Sequence, residues 1–249
     1  MAISQTSGIV LKIQNWKETS RLVTLYTQDF GKIKAVAKGL KAKKGKGTGG
    51  LSQFSENEIV FYRKKSGLHL IDKWSFKDSN SNLYSNFKKL VIASIIAEMI
   101  DEYIEGEEKS PGLYRLLKRT LTLLAKDGHE ELFLASFTVH FLKRLGYQPN
   151  FEKCCRCGKN KLSKPIFFLL NEGAVICQQC RTGKDRVVVV DEEMKAVVEY
   201  LQNIPPEKSI RLKLAPFFQK RLCNFLIFFL SYTLGKKLQS ISLLETAVA

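Results

Sequence analysis

Two Cys-x-x-Cys pairs are the residues in this chain whose type and spacing most directly imply chemistry: Cys154-Cys155-Arg156-Cys157 and Cys177-Gln178-Gln179-Cys180. Nineteen residues separate Cys157 from Cys177, within the range used by four-cysteine zinc sites. Zinc takes four thiolates in a tetrahedron, and a two-residue gap lets one tight turn aim two sulfurs at one point. Gly158 and Gly173 stand where such turns need a permissive backbone. The expected ligands are therefore Cys154, Cys157, Cys177 and Cys180, around one structural Zn2+ ion. A site closed by four thiolates has no open coordination position, so the expected role is support, not catalysis.

A second constellation tests that reading. His129-Glu130-Glu131 followed by Cys154-x-x-Cys157 resembles the H-x-E … C-x-x-C signature of zinc deaminases, in which a histidine and two cysteines hold the metal and the glutamate moves protons. Three features oppose it. Lys153 stands where a proline precedes the first cysteine, residues 146–153 contain no apolar strand, and Cys177 with Cys180 already completes a tetrahedron. Acids at the start of a helix also suit its dipole, which gives Glu130 and Glu131 a simpler role. His69 and His140 fall in a β-hairpin and a largely buried helix and read as packed residues. Cys155 reads as a bystander and Cys223 as core.

These residues belong to a 249-residue chain, 45% hydrophobic, with a net charge of +16. That length supports more than one domain, and that hydrophobic content excludes a wholly disordered chain. The excess positive charge must face solvent, where it attracts polyanions, nucleic acid first and acidic membrane second. No run approaches the ~20 apolar residues of a membrane-spanning helix, and residues 1–8 lack the basic start of a signal peptide. Cysteines in metal spacing suit a reducing compartment, so a cytoplasmic location is expected.

Residues 7–13, 21–27, 32–38, 57–64 and 67–74 are short, rich in β-branched and aromatic residues, and separated by turn formers. Five such strands suggest a small barrel, with the OB-fold as the usual five-stranded form and an SH3-like barrel as the alternative. From Phe87 the apolar period changes to that of helices: Val91, Ile95, Met99 and Tyr103 repeat every four residues. Ser110-Pro111 opens a second helix, and a third, from about 130 to 145, is apolar on most sides. The cysteine region carries a short strand at 166–170. Asp191 then caps a fourth helix, and a last one runs from about 216 to 238. The tail after Ser240 shows no strong pattern.

Between Asp29 and Glu56 no acidic residue occurs, while Lys32, Lys34, Lys38, Lys41, Lys43, Lys44 and Lys46 do. Lys32, Lys34 and Lys38 share one strand parity and Ile33, Ala35 and Ala37 the other. The remaining lysines enter a loop ending Gly47-Thr48-Gly49-Gly50, where glycines allow close backbone approach to phosphates. Lysines so placed neutralise phosphates without reading sequence. The alternative is a solvated loop without a ligand. The phosphate-loop signature of nucleotide hydrolases is absent from the loop. Trp16, Tyr26, Phe54, Phe61, Tyr62 and Trp74 are available for base stacking, although most aromatics of a small barrel are core.

Gly8-Ile9-Val10-Leu11, Glu18 to Val23, Tyr26-Thr27, Gly31-Lys32-Ile33 and Ala37-Lys38-Gly39 succeed one another in an order and spacing similar to those of the RecO family of bacterial recombination mediators. Leu51-Ser52-Gln53-Phe54 resembles its Leu-Gln-Pro-Phe, with Ser52-Gln53 in place of Gln-Pro. Leu145-Gly146-Tyr147-Gln148-Pro149, Cys154-x-x-Cys157-Gly158, Glu172-Gly173 and Cys177-x-x-Cys180-Arg181 match its later part, with Glu172 where the family usually has a glycine.

The resemblance implies an α+β multidomain protein: an N-terminal five-stranded OB-fold barrel, an α-helical domain, and an inserted four-cysteine zinc-binding module. The corresponding boundaries are 1–80 for the barrel, 81–150 and 186–240 for the helical bundle, 151–185 for the zinc insertion and 241–249 for a tail. It implies binding of single- and double-stranded DNA, annealing of complementary strands coated with single-strand-binding protein (SSB), and work with RecR to place RecA on DNA. No enzymatic activity and no membrane contact are implied, and the location would be cytoplasmic, at the nucleoid. The residues assigned to DNA phosphates are Arg21, Lys32, Lys34, Lys38, Lys41, Lys43, Lys44 and Lys46. The alternatives are a zinc-stabilised RNA-binding or scaffolding protein and a zinc-dependent nucleic-acid deaminase.

Overall fold

A computed structural model describes residues 2–38, 51–65, 67–126, 128–160 and 162–246. Five strands come first: β1 (Ala2–Trp16), β2 (Ser20–Thr27), β3 (Gly31–Ala37), β4 (Glu56–Arg63) and β5 (His69–Asp78). They close into a barrel in the order β1-β2-β3-β5-β4, with β4 returning to β1. Every pairing is antiparallel except β3 with β5, which is parallel. This is the expected five-stranded OB-type barrel.

The strands close because alternate side chains fill one small interior. Val10, Val23, Leu25, Ile33, Ala35, Ala37, Ile59, Phe61 and Ile71 form its core, and the two alanines suit the limited width inside five strands. β1 runs well past the apolar segment at 7–13. Its start pairs with β4 from Ala2↔Arg63 and its end with β2 up to Trp16↔Ser20. An irregularity between Val10 and Lys12 bends it from one partner to the other.

The chain divides into two compact units, one of residues 1–128 and 238–249, the other of residues 129–237. In the first, the barrel is followed by α1 (Phe87–Tyr103) and α2 (Pro111–Lys126). Asn86 caps α1 by accepting from the N–H groups of Lys88 and Lys89 at 2.8 and 3.3 Å. Glu56 and α2 are joined by a buried contact: its carboxylate accepts from the Tyr114 hydroxyl at 3.0 Å and pairs with Lys118 at 2.8 Å. Gly31 has φ +65°, and a Cβ there would lie 2.2 Å from the Glu108 carbonyl oxygen. Only glycine lets the segment after α1 approach the barrel this closely.

In the second unit, α3 (Glu130–Arg144) is buried on nearly every side, as its composition suggests, and packs against α4 (Glu192–Asn203) and α5 (Pro216–Leu234). Asp191 caps α4 as expected, accepting from the Met194 N–H at 2.8 Å. The cysteine region contains β6 (Ile166–Leu169), β7 (Ala174–Ile176) and β8 (Val187–Val190), joined as an antiparallel sheet in the order β7-β6-β8. Only β6 corresponds to a strand read from sequence.

The segment after Ser240 forms α6 (Ile241–Thr246), which packs on α1 within the first unit. The sequence after Ser240 shows no strong pattern of its own, and a tertiary contact starts this helix. The Glu98 carboxylate, on α1, accepts from the N–H groups of Gln239 at 2.7 Å and Ser240 at 2.8 Å, satisfying donors at the entrance to α6. Among the described residues no helix is long and apolar enough to cross a membrane.

Candidate metal centre and nucleic-acid interface

The hairpin β6–β7 and the turns around it bring the four predicted cysteines together. Cys177 follows β7 directly. The N–H of Cys155 donates to the Val175 carbonyl at 2.9 Å, which holds the first cysteine turn against that strand. Gly158, at φ +73°, lets its own N–H return to the Cys154 carbonyl at 2.9 Å and tightens the turn. The Sγ atoms of Cys154, Cys157, Cys177 and Cys180 all lie within 4.8 Å of one another, with Cys157 and Cys177 3.7 Å apart. This group can hold a metal ion.

The base of the cluster is apolar. Cys154 and Cys177 are buried beside Phe167, Leu169 and Ile176. Burial works against the Cys154 thiolate, but the N–H groups of Cys157, Cys177 and Arg156 outweigh it and bring the thiol down to about 6. Cys180 is pushed up to about 12 through its hydrogen bonds with the Cys177 and Cys157 sulfurs. Four adjacent sulfurs compete for protons in this way, and a cation at their centre removes the competition and lets all four ionise. Arg156 closes the outer side, bound to both carboxylate oxygens of Asp185.

The deaminase constellation does not assemble as a metal site among the described residues. His129 stands at the start of α3 with its ring edge-on to Phe133 at 6.4 Å, and the metal-competent group consists of cysteines alone. Glu130 and Glu131 occupy the first turn of α3, as the simpler reading expects. His140 bonds the Ile204 carbonyl at 2.9 Å and is half-buried, and His69 is buried with its ring 2.8 Å from Glu107.

On the barrel, the predicted alternation of β3 holds. Ile33, Ala35 and Ala37 point into the core, while Lys34 and Lys38 are exposed on the other face. Lys32 shares that face but is half-buried and paired with Asp101 of α1 at 3.5 Å; burial, more than any neighbouring charge, pulls its pKa down. Arg21 is paired with Ala37 and so carries the inward parity, opposite to Lys34 and Lys38. Lys41, Lys43, Lys44 and Lys46 lie outside the described residues. The lysine that sequence reasoning missed is Lys12. It pairs with Thr24, which pairs with Lys34, so two exposed lysines flank one buried threonine across three strands. Lys12 lies outside the acid-free stretch, and only the register of β1 on β2 brings it there.

Of the six aromatics available for stacking, Tyr26, Phe54 and Phe61 are fully buried, and Trp74 packs against the barrel core. Tyr62 is half-buried. Trp16 is exposed at 38% and carries the same outward parity as Lys12.

The fold and these two features define a basic OB-barrel protein with a helical domain and a cluster of four cysteines that can hold a metal ion. Comparison with known proteins makes the assignment specific. Residues 1–80 match the family model for the N-terminal part of recombination protein O, and residues 84–241 match that for its C-terminal part. The chain belongs to the RecO family. Among its relatives, "DNA repair protein RecO" of Clostridium perfringens is 27% identical over 246 residues, covering 98% of both chains. The protein of the same name from Caldanaerobacter subterraneus is 30% identical over 214 residues, 85% of each chain. That from a Thermoanaerobacter species is 31% identical over 182 residues, 73% of this chain and 72% of its own.

Proposed function

We propose that this chain is a DNA-binding recombination mediator without an active site. It binds single- and double-stranded DNA, anneals complementary strands coated with SSB, and acts with RecR in placing RecA, in the cytoplasm at the nucleoid. The observation that carries the reading is the outward lysine pattern of the barrel, Lys12 and Lys34 across Thr24 with Lys38 at the end of β3, in a chain of net charge +16. Positive charge on two strands lowers their mutual repulsion, which is what annealing requires. Arg21, Lys32 and the loop lysines Lys41, Lys43, Lys44 and Lys46 are proposed to add phosphate contacts, Lys32 only as far as its pairing with Asp101 allows.

In functional terms the proposed division is a barrel over 1–80, helices over 81–150 and 186–240, and a metal-held insertion over 151–185. The proposed metal is Zn2+. Four thiolates suit it, and at a Zn–S distance of ~2.3 Å an ideal tetrahedron separates sulfurs by about 3.8 Å; the Cys157–Cys177 separation is 3.7 Å. Its role is to hold the insertion together.

The test is annealing of complementary strands coated with SSB. The chain should accelerate pairing, and changing Lys34, Lys38, Lys41, Lys43, Lys44 and Lys46 to alanine should weaken DNA binding and flatten its salt dependence. No acceleration over the spontaneous rate would overturn the mediator reading, and an unchanged salt slope would overturn the lysine assignment.

A further inference from the structure

Outward residues of β1, β2 and β3 form rows across the strands. Gln14, Leu22 and Val36 are successive partners and continue to Leu70 of β5, one row from the Lys12–Thr24–Lys34 row. Leu22, Val36 and Leu70 are half-buried, so the middle of this face is apolar. Trp16 pairs with Ser20 in the next row, at the barrel end where β3 finishes and the exposed Lys38 follows. Successive rows are about 6.8 Å apart. Trp16 therefore stands at one end of a face whose other rows present lysines and aliphatic side chains. The short turn after it carries Lys17 and Glu18, both exposed.

Part of the Trp16 indole is open to water and so open to a partner. Tyr26, Phe54 and Phe61 are buried in the same domain, and Phe76 of β5 is exposed at 44%; what sets Trp16 apart is that it shares its outward face with Lys12 and Lys34. A lysine-lined face calls for a polyanion, and an indole beside it calls for a flat partner. Single-stranded nucleic acid supplies both, because its unpaired bases offer π-faces that a duplex keeps stacked inside. An acidic protein segment would satisfy the lysines, but it would use the indole only if it also carried a flat or apolar side chain.

The geometry points to Trp16 as a stacking platform for an unpaired base, with Lys12, Lys34 and Lys38 holding the adjoining phosphates. This deepens the proposed DNA binding and rests on it: the barrel face would distinguish single strands from duplex through one residue.

The test uses the full chain with three ligands: a single-stranded oligonucleotide, an abasic strand of the same length, and a duplex. Trp16→Ala should weaken binding of the base-bearing strand by about 5- to 150-fold, the range for loss of one stacked base. Affinity for the abasic strand and the duplex should stay within about twofold, and Trp16→Phe should keep most of the single-strand affinity. Fluorescence of the remaining Trp74 and the melting midpoint verify the fold. Equal losses on base-bearing and abasic strands, or no loss on the base-bearing strand, overturn the inference. If Lys34→Ala with Lys38→Ala weakens all three ligands while Trp16→Ala weakens none, the stacking assignment alone fails. If the unaltered chain binds none of them, the DNA-binding reading falls with it.

Discussion

The hydroxyl of Tyr114 donates to the carboxylate of Glu56 at 3.0 Å, and Glu56 is only 5% exposed. One residue lies on α2 and the other at the start of β4, so a buried acid ties barrel to helix within the first unit. Burial raises the Tyr114 pKa, the nearby Glu56 charge raises it further, and the phenol stays a donor at any working pH. Hydrogen bonds to a charged group contribute about 1.5–3 kcal/mol. Tyr114→Phe is expected to destabilise the chain by about 2 kcal/mol, because Lys118 still pairs with Glu56. Denaturant unfolding of Tyr114→Phe, Glu56→Gln and the double variant checks this. Additive losses would mean that the two residues do not interact energetically.

Gly31 gives a second expectation, from backbone conformation. Its φ of +65° disfavours any side chain, and the nearest atom to a new Cβ is a carbonyl oxygen, which has no rotamer by which to move away. Gly31→Ala should cost about 3 kcal/mol and lower the melting midpoint by about 6–12 °C. A melting curve within a degree or two of the parent would show that the segment after α1 shifts freely.

His140 predicts a pH effect. Burial holds its pKa below the ordinary value, and its Nε2 donates to the Ile204 carbonyl in the neutral form. The unfolded chain takes up a proton near pH ~6.5 while the folded chain resists until lower pH. Between those two values the unfolded state binds more protons, so stability is full above about 6.5 and falls as pH drops towards the folded pKa. Melting midpoints between about pH 7 and about pH 5 should decline, and His140→Gln should flatten the decline. An equally steep decline in the variant would assign the effect to other groups.

Removing the proposed zinc should act on the cysteine region. A strong chelator, or Cys157→Ser, is expected to take it from one ion per chain towards none. Hydrogen-exchange protection of β6 and β7 should then drop, since Cys154 and Cys177 help form the small core behind them. Retained protection with no metal would show that Phe167, Leu169 and Ile176 hold this sheet alone.

How much of this was legible beforehand depends on how far apart the cooperating residues are. The barrel strands could be read because alternation is local: Ile33, Ala35 and Ala37 against Lys34 and Lys38 is visible within one segment and holds in the fold. The four cysteines could be read because two-residue gaps within each pair leave little choice of partner. The alignment of Lys12 with Lys34 could not, since it depends on two registers and on an irregularity at Val10/Lys12. Nor could the opposite facing of Arg21, which follows from its pairing with Ala37.

The order of motifs along the chain was therefore sufficient for the family, the four-cysteine group and the class of barrel, because each is encoded in spacing or in local period. Tertiary structure decided which lysines share a face, that Lys32 is held by Asp101, that Trp16 alone of the six stacking candidates is exposed, and that Glu98 caps α6. Those outcomes come from cross-strand register and from contacts between residues up to 142 positions apart, for which no local pattern exists.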